Sequence, residues 1–316
     1  MSAHANALPR VTVLMGGPDA EHEVSLMSGA EVARALDAGG RFEVVPVTIA
    51  RDARIDAAGI LALRPDVVYP VLHGPWGEGG PLQEILESIE ASHGIPFVGP
   101  GSRAARIAMD KDRTKRFARE AGVRTPDACA VVAGEPLAIA PPLVLKPSND
   151  GSSVDLRICR DDAEVAAARR ELEPKRPALM AERFISGREM TVGIIDGETL
   201  PIIEILPRTA FYDYEAKYLR DDTEYRLEPT LAPEVAAEMH RATRAVFEAI
   251  GLRDAARADF IVDGEGAWFL EINSAPGMTT HSLVPKAARH RGVEMSELCA
   301  GFVARALARA RAAVAS

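Results

Sequence analysis

The stretch A-R-A-D-F-I-V-D-G-E-G-A-W-F-L-E-I-N-S, residues 256–274, reads as two strands joined by a tight turn. Alternation places Arg257, Asp259, Glu271 and Asn273 on one face and Phe260, Val262, Trp268, Leu270 and Ile272 on the other. A three-residue turn, Gly264 to Gly266, would set Asp259 opposite Glu271 across the ladder. Two facing carboxylates repel unless something neutralises them. With an amide oxygen and an arginine beside them they form a set of hard oxygen donors of the kind Mg²⁺ takes, usually shared with phosphates. A face of solvated charges is the rival reading, and the apolar opposite face together with Asn273 two residues after Glu271 favours the metal.

Working outward, the apolar runs at 201–205, 190–195, 178–185 and 143–146 predict further strands around this hairpin. Val235, Met239, Ala242, Val246 and Ala249 repeat with helical period, and a long Ala/Lys/Arg helix is expected around 100–125, closed by Gly122. Toward the N-terminus the pattern changes. V-T-V-L-M (11–15), F-E-V-V-P-V (42–47) and D-V-V-Y-P-V-L (66–72) are short and β-branched, and helical stripes at Val32, Ala33, Leu36 and at Leu82, Ile85, Leu86, Ile89 separate them. That alternation predicts a parallel α/β sheet. The expected organisation is an N-terminal Rossmann-like domain (1–100), a central lobe (101–184) and a C-terminal lobe (185–316) ending in a helix at 295–313. The polar, aromatic segment 208–228 is long for a connection and suits an ordered loop over a ligand.

Composition narrows the function classes. The chain has 316 residues, 47% hydrophobic and 26% charged, which is ordinary globular usage and excludes long disorder. A formal charge of -9 has the wrong sign for a nucleic-acid partner. Cys129, Cys159 and Cys299 are dispersed and unpaired by motif, so reduced thiols are expected. No stretch approaches the length and apolarity of a membrane span, and a cytoplasmic protein is expected.

Three further motifs carry chemistry. K-P-S-N-D-G-S-S-V (146–154) follows a strand, and its lysine, backbone N–H groups and serine hydroxyls suit phosphate oxygens, although it lacks the Walker A spacing and a plain hairpin turn is the alternative. G-G-P-D-A-E-H-E-V-S (16–25) opens a helix at the C-terminal end of the first parallel strand, where Glu21 could hold an ammonium group or simply complement the helix dipole. It is not G-x-G-x-x-G, which argues against a dinucleotide oxidoreductase. His73, in L-H-G-P-W-G-E-G-G (72–80), falls at the same sheet edge.

With these residues in place, the chain resembles the D-alanine–D-alanine ligases of the ATP-grasp superfamily from about residue 11 to 310. The stretches that carry the resemblance are 16–29, 72–80, A-M-D-K (108–111), 146–154, G-R-E-M-T-V (187–192), F-Y-D-Y-E-A-K-Y (211–218) and E-I-N-S-A-P-G-M-T-T-H-S-L-V-P (271–285). The resemblance implies a three-domain ATP-grasp fold in which ATP lies between the second and third domains and phosphorylates a first D-alanine. The amine of a second D-alanine then attacks the acyl phosphate. It further implies two Mg²⁺ ions, with Mn²⁺ as a substitute and a monovalent cation left open, and a homodimer through the N-terminal domain.

Carried over by position, Lys111, Lys146 and Lys217 would contact phosphates, Ser152 would belong to the glycine-serine lid, and Glu182 and Glu189 would bind adenine and ribose. Asp259, Glu271 and Asn273 match the metal ligands, and Arg257 with the Gly277 backbone N–H would stabilise the oxyanion. Glu21, with His73 nearby, would hold the first substrate's ammonium, and Ser282 and Leu283 would receive the second substrate's carboxylate. Tyr218 would link Ser152 and Glu21 and close the loop.

Three positions depart from the family pattern. Asp155 stands where glycine is usual, Asp19 replaces a frequent serine, and Gly79-Gly80-Pro81 replaces an acidic-Gly-Thr run. Two alternatives stay open: an ATP-grasp carboxylate–amine ligase for another amino-acid or hydroxy-acid pair, and a nucleotide-binding regulator that has lost turnover. One pocket methylene is worth only about 1–3 kcal/mol of discrimination, too little for sequence to separate close substrates.

Overall fold

The computed structural model describes residues 8–149, 155–206 and 223–315, which divide into two compact units. Unit 1 comprises Met1–Arg106, Leu252–Ala256 and Ser274–Ser316, and unit 2 comprises Ile107–Gly251 and Arg257–Asn273.

Unit 1 is built on a parallel sheet of β1 (Arg10–Gly16), β2 (Glu43–Ile49) and β3 (Val67–Pro70), ordered β2-β1-β3. A strand covered on both faces needs a near-continuous apolar run, and Val11, Val13 and Leu14 of β1 are fully buried. The crossover helix α1 (His22–Ala38) turns Val24, Val32, Ala33 and Leu36 inward. Helix α2 (Ala57–Ala62) starts at Asp56, whose side chain accepts from Gly59 N–H. The one-turn α3 (Gly74–Gly77) and α4 (Pro81–His93) complete a core of Leu14, Ile60, Leu72, Trp76, Leu86 and Phe97.

Helices α9 (Leu283–His290) and α10 (Met295–Ala315) also belong to unit 1, so the chain's last segment packs with its first. Phe302 of α10 meets Tyr69 of β3 edge to face at 6.4 Å. The Arg309 guanidinium forks onto buried Asp254 at 2.8 and 2.9 Å and donates to Phe97 O. The linear divisions at 100 and 184 therefore mark changes of sheet, whereas packing returns residues after 273 to the N-terminal sheet.

Unit 2 holds two antiparallel sheets. Strands β4 (Ala128–Ala130), β5 (Leu143–Pro147), β6 (Arg157–Cys159) and β7 (Leu179–Arg183) are ordered β4-β7-β5-β6, with helix α7 (Asp162–Leu172) against a core that includes Leu143, Leu145, Leu172 and Leu179. Strands β8 (Arg188–Ile195), β9 (Glu198–Leu206), β10 (Glu224–Leu227), β11 (Ala255–Asp263) and β12 (Gly266–Asn273) are ordered β10-β9-β8-β11-β12. Helix α8 (Pro233–Ile250) begins with proline, whose missing N–H costs nothing there, and buries Met239, Ala242 and Val246.

Three expectations are corrected. The single helix around 100–125 is two, α5 (Ser102–Met109) and α6 (Lys111–Glu120), because Asp110 leaves the helical region (φ -94°, ψ 106°) and caps α6 through Arg113 N–H. Glu224–Leu227, expected within a loop, pairs with β9 as an edge strand. The turn of the β11–β12 hairpin has two residues, since Asp263 pairs with Gly266, and the register shifts by one between Asp259 and Phe260.

Leu270 is the residue left over by that shift. Consequently Phe260 faces Phe269, ring to ring at 5.7 Å, and Trp268 falls opposite Ile261 instead of sharing a face with Phe260. Beyond the bulge the ladder restores Asp259 opposite Glu271 and Arg257 opposite Asn273. No helix among the described residues is long and apolar enough to cross a membrane, and Cys129, Cys159 and Cys299 are free thiols.

Candidate active site

Unit 2 gathers the charged groups. Asp259 is buried and accepts both arms of the Arg257 fork, Nε to Oδ1 and Nη2 to Oδ2 at 2.9 Å each. The Thr191 hydroxyl on β8 donates to Asp259 Oδ1 at 2.7 Å. Opposite it, Glu271 Oε2 lies 3.2 Å from Lys111 Nζ, at the first residue of α6. Each of the two facing carboxylates thus has its own cation, which offsets their mutual repulsion. No group of three His, Cys, Asp or Glu side chains among the described residues could hold a metal by itself. Asp259, Glu271 and Asn273 amount instead to a partial set of hard oxygens, which fits an ion that completes its shell from phosphates and water.

Lys146, on β5, donates to Glu182 Oε2 at 2.6 Å, and the other oxygen of Glu182 is ion-paired with Lys115. All three are buried. Burial alone would raise the Glu182 carboxyl, but the two lysines outweigh it and hold its pKa below the usual carboxylate range. Desolvation lowers Lys115 to about 8 despite its partner, whereas Lys146, flanked by Glu182 and Glu271, is raised. The Lys111 backbone N–H donates to Ser148 O, tying the start of α6 to the segment after Lys146. Glu189 lies half-buried on β8, in the other sheet. Ser152, Lys217 and Tyr218, with most of the aromatic segment, lie outside the described residues.

Unit 1 gathers a different set. The Ser25 hydroxyl accepts from Gly16 N–H and donates to Val71 O, so the 16–25 loop is fastened to the end of the neighbouring strand. Glu21 caps the start of α1 in position, yet its side chain makes no capping hydrogen bond. His73 is 6% exposed, and burial pulls its pKa down to about 4 against a hydrogen bond with the Ala275 backbone. Its Nε2 has no hydrogen-bond partner among the described residues, and His73 lines a recess with Leu72, Ser274, Pro276 and Met278. Ser282 precedes α9 and accepts from Thr279 N–H at 3.0 Å, and Leu283 opens the helix, where backbone N–H groups favour an anion. A Cβ on Gly277 would come within 2.8 Å of Ser282 Oγ, so a side chain there would displace the Ser282 hydroxyl.

The departures now have local accounts. Asp19 Oδ2 accepts from the N–H groups of Trp76 and Gly77 at 2.9 and 3.0 Å, clamping the first loop onto α3. Gly80 sits at φ +118° with Arg106 where a Cβ would be, so glycine is required at that corner. Asp155 adopts φ +58° and is anchored by Arg176 Nε at 2.6 Å, which neutralises it.

Sequence reading had missed Lys115 and Thr191. Lys115 falls in K-D-R-T-K, which looks like a solvated face, and no local signal marks it as buried. Thr191 matters only through β8 lying beside β11, a pairing no linear pattern announces.

Two antiparallel sheets in one unit, with buried Lys146 and Glu182 from one and the facing carboxylates of Asp259 and Glu271 from the other, define the ATP-grasp class of fold. The model of the D-ala D-ala ligase C-terminus matches residues 117–304, and that of the N-terminus matches 10–59. The D-alanine–D-alanine ligase of Syntrophotalea carbinolica is 39% identical over 294 residues, 92% of this chain and 93% of that protein. That of Aquifex aeolicus is 38% identical over 92% of this chain and 98% of its own. The crystal structure of the Bacillus anthracis D-alanine–D-alanine ligase complexed with ATP superposes with a TM-score of 0.80 at 32% identity, covering 97% of this chain and 99% of that one. The chain belongs to the D-alanine–D-alanine ligase family.

Proposed function

We propose that this chain joins two D-alanines into D-alanyl-D-alanine for peptidoglycan precursors, cleaving ATP to ADP and phosphate. The observation that carries the reading is the pairing of Arg257 with Asp259 and of Lys111 with Glu271 across one hairpin and one helix. It sets cations and oxygen donors side by side, the combination that transfer of a phosphate needs.

Lys111, Lys146 and Lys217 contact the phosphates, Glu182 and Glu189 the adenine and ribose. Asp259, Glu271 and Asn273 would hold two Mg²⁺, or Mn²⁺, which would supply neutralisation of phosphate charge. The first D-alanine's carboxylate oxygen attacks the terminal phosphorus and ADP departs. The second D-alanine's amine then attacks the acyl carbon and phosphate departs. Arg257 and the Gly277 N–H stabilise the oxyanion between these events.

Glu21 holds the first substrate's ammonium. His73, kept neutral by burial, can stand near that ammonium without repelling it. The Ser282 hydroxyl and the Leu283 N–H receive the second carboxylate. Tyr218 links Ser152 and Glu21 and excludes water from the acyl phosphate. We assign the segments 1–100, 101–184 and 185–316 to three domains, and the assembly to a cytoplasmic homodimer through the first.

The test is phosphate release from Mg-ATP with D-alanine, L-alanine, D-lactate plus D-alanine, or no amino acid, with mass spectrometry of products. Release coupled to D-alanyl-D-alanine only with D-alanine is expected. Ester formation with D-lactate, or turnover of another pair, would transfer the assignment to a different carboxylate ligase.

A further inference from the structure

Lys115 is 1% exposed in the interior of unit 2, where a lysine is rarely found unless paired. It stands one helical turn after Lys111 on α6, and the two lysines diverge: Lys111 reaches Glu271 on β12, and Lys115 reaches Glu182 on β7. Glu182 already has a buried cation in Lys146, at 2.6 Å from Oε2. Neutralising one carboxylate takes one lysine, so the second needs another explanation. Its effect is geometric. With Oε2 hydrogen-bonded to Lys146 and Oε1 ion-paired with Lys115, turning the carboxylate plane would pull both oxygens away from their cations.

We infer that Lys115 sets the base preference of the nucleotide site, by fixing the Glu182 carboxylate in one orientation as a pure hydrogen-bond acceptor that fits an exocyclic amine and rejects an exocyclic carbonyl. A carboxylate has about four lone-pair directions; the Lys146 hydrogen bond takes one and the Lys115 ion pair stands beside the other oxygen, leaving acceptor capacity for a further donor. A 6-amino purine supplies that donor. A 6-oxo purine presents a second acceptor, and two buried acceptors facing each other are rejected far more strongly than a missing methylene. The lysines also hold the Glu182 pKa low, so the group does not become a donor itself at neutral pH. This inference rests on the reading that Glu182 meets the base.

The experiment measures kcat/KM of the full chain with ATP and with inosine triphosphate, for wild type, K115M and E182Q. The ratio of the two nucleotides is taken on one sample, so a loss of folded protein cancels. Wild type should prefer ATP, and K115M should reduce that preference by about 10-fold or more with KM for D-alanine unchanged. E182Q should also collapse the ratio, because a carboxamide can turn to offer either a donor or an acceptor. If E182Q collapses the ratio and K115M lowers both nucleotides equally, Lys115 is structural only and the inference is overturned while Glu182 keeps its place at the base. If E182Q leaves the ratio intact, the base reading of Glu182 falls and the inference with it. Should K115M fail to fold, K115Q is read by the same ratio with the same consequences.

Discussion

The two units store their polar groups in opposite ways. In unit 2 every charged group assigned a ligand whose pairing has just been described, Lys111, Lys146, Glu182, Arg257, Asp259 and Glu271, is held against an opposite charge. In unit 1 the corresponding groups, the Glu21 carboxylate apart, are neutral: a buried histidine whose Nε2 has no partner among the described residues, a serine hydroxyl and the backbone at a helix start. The difference follows from the ligands proposed for them. A polyphosphate with metal needs groups that stay ionised while buried, and mutual pairing supplies that at low desolvation cost. A zwitterionic amino acid needs few charges, and neutral dipoles place it without a rearrangement of ion pairs.

The sharpest way to break this contrast is Glu271→Gln. Loss of the carboxylate removes a metal ligand and leaves Lys111 without its ion pair, and turnover of ATP should fall about 1,000-fold, the upper end of what losing one preorganised electrostatic contact costs. Because Glu271 is partly exposed, folding should change by less than about 1 kcal/mol. Steady-state phosphate release and a thermal melt measure both, and wild-type kinetics in the variant would remove Glu271 from the metal site.

Much of this site was legible in the sequence, though partly for the wrong reason. The opposition of Asp259 and Glu271 was expected from a three-residue turn, and it arises from a two-residue turn plus a bulge at Leu270. Alternation conveys which residues share a strand face only until a bulge intervenes, and a bulge leaves no mark in an apolar run such as W-F-L. The parallel sheet was read nearly to its ends because burial on both faces writes itself as β-branched runs. The break at Asp110 was missed because the helical composition continues through it, although aspartate is one of the residue types that cap a helix start. Lys115 was invisible, since its burial depends on β7, nearly 70 residues away in sequence, a distance set by fold and not by pattern.

His73 tests the neutral half of the contrast. Its folded pKa is about 4, below the ordinary value near 6.5, so the unfolded chain takes up a proton first as pH falls. The stabilisation it contributes is complete above about pH 6.5 and is lost between there and pH 4, by roughly 3 kcal/mol. Denaturant unfolding of wild type and His73→Asn across that range should give curves that diverge at neutral pH and converge in acid. Parallel curves would mean that His73 titrates alike in the native and unfolded chains, and a histidine held neutral by burial on the substrate face would not survive.

Asp155 offers the smallest effect and a finer test of the charged half. Its backbone, at φ +58°, is in the left-handed region that glycine enters most readily, which explains why a glycine would suit the position. Aspartate tolerates that conformation better than most side chains, and Arg176 holds its carboxylate at 2.6 Å with both groups about one quarter exposed. Asp155→Gly would relieve the backbone and remove the ion pair, two changes of opposite sign and each at most about 1 kcal/mol, so stability should move by less than that. If the charge at Asp155 were felt by phosphates, KM for ATP would fall in the glycine variant. Because Arg176 already neutralises it, KM should stay within about 2-fold of wild type, a change worth less than 1 kcal/mol. A marked drop would show that the pairing does not shield the nucleotide, and that unit 2 leaves one of its charges to act at a distance.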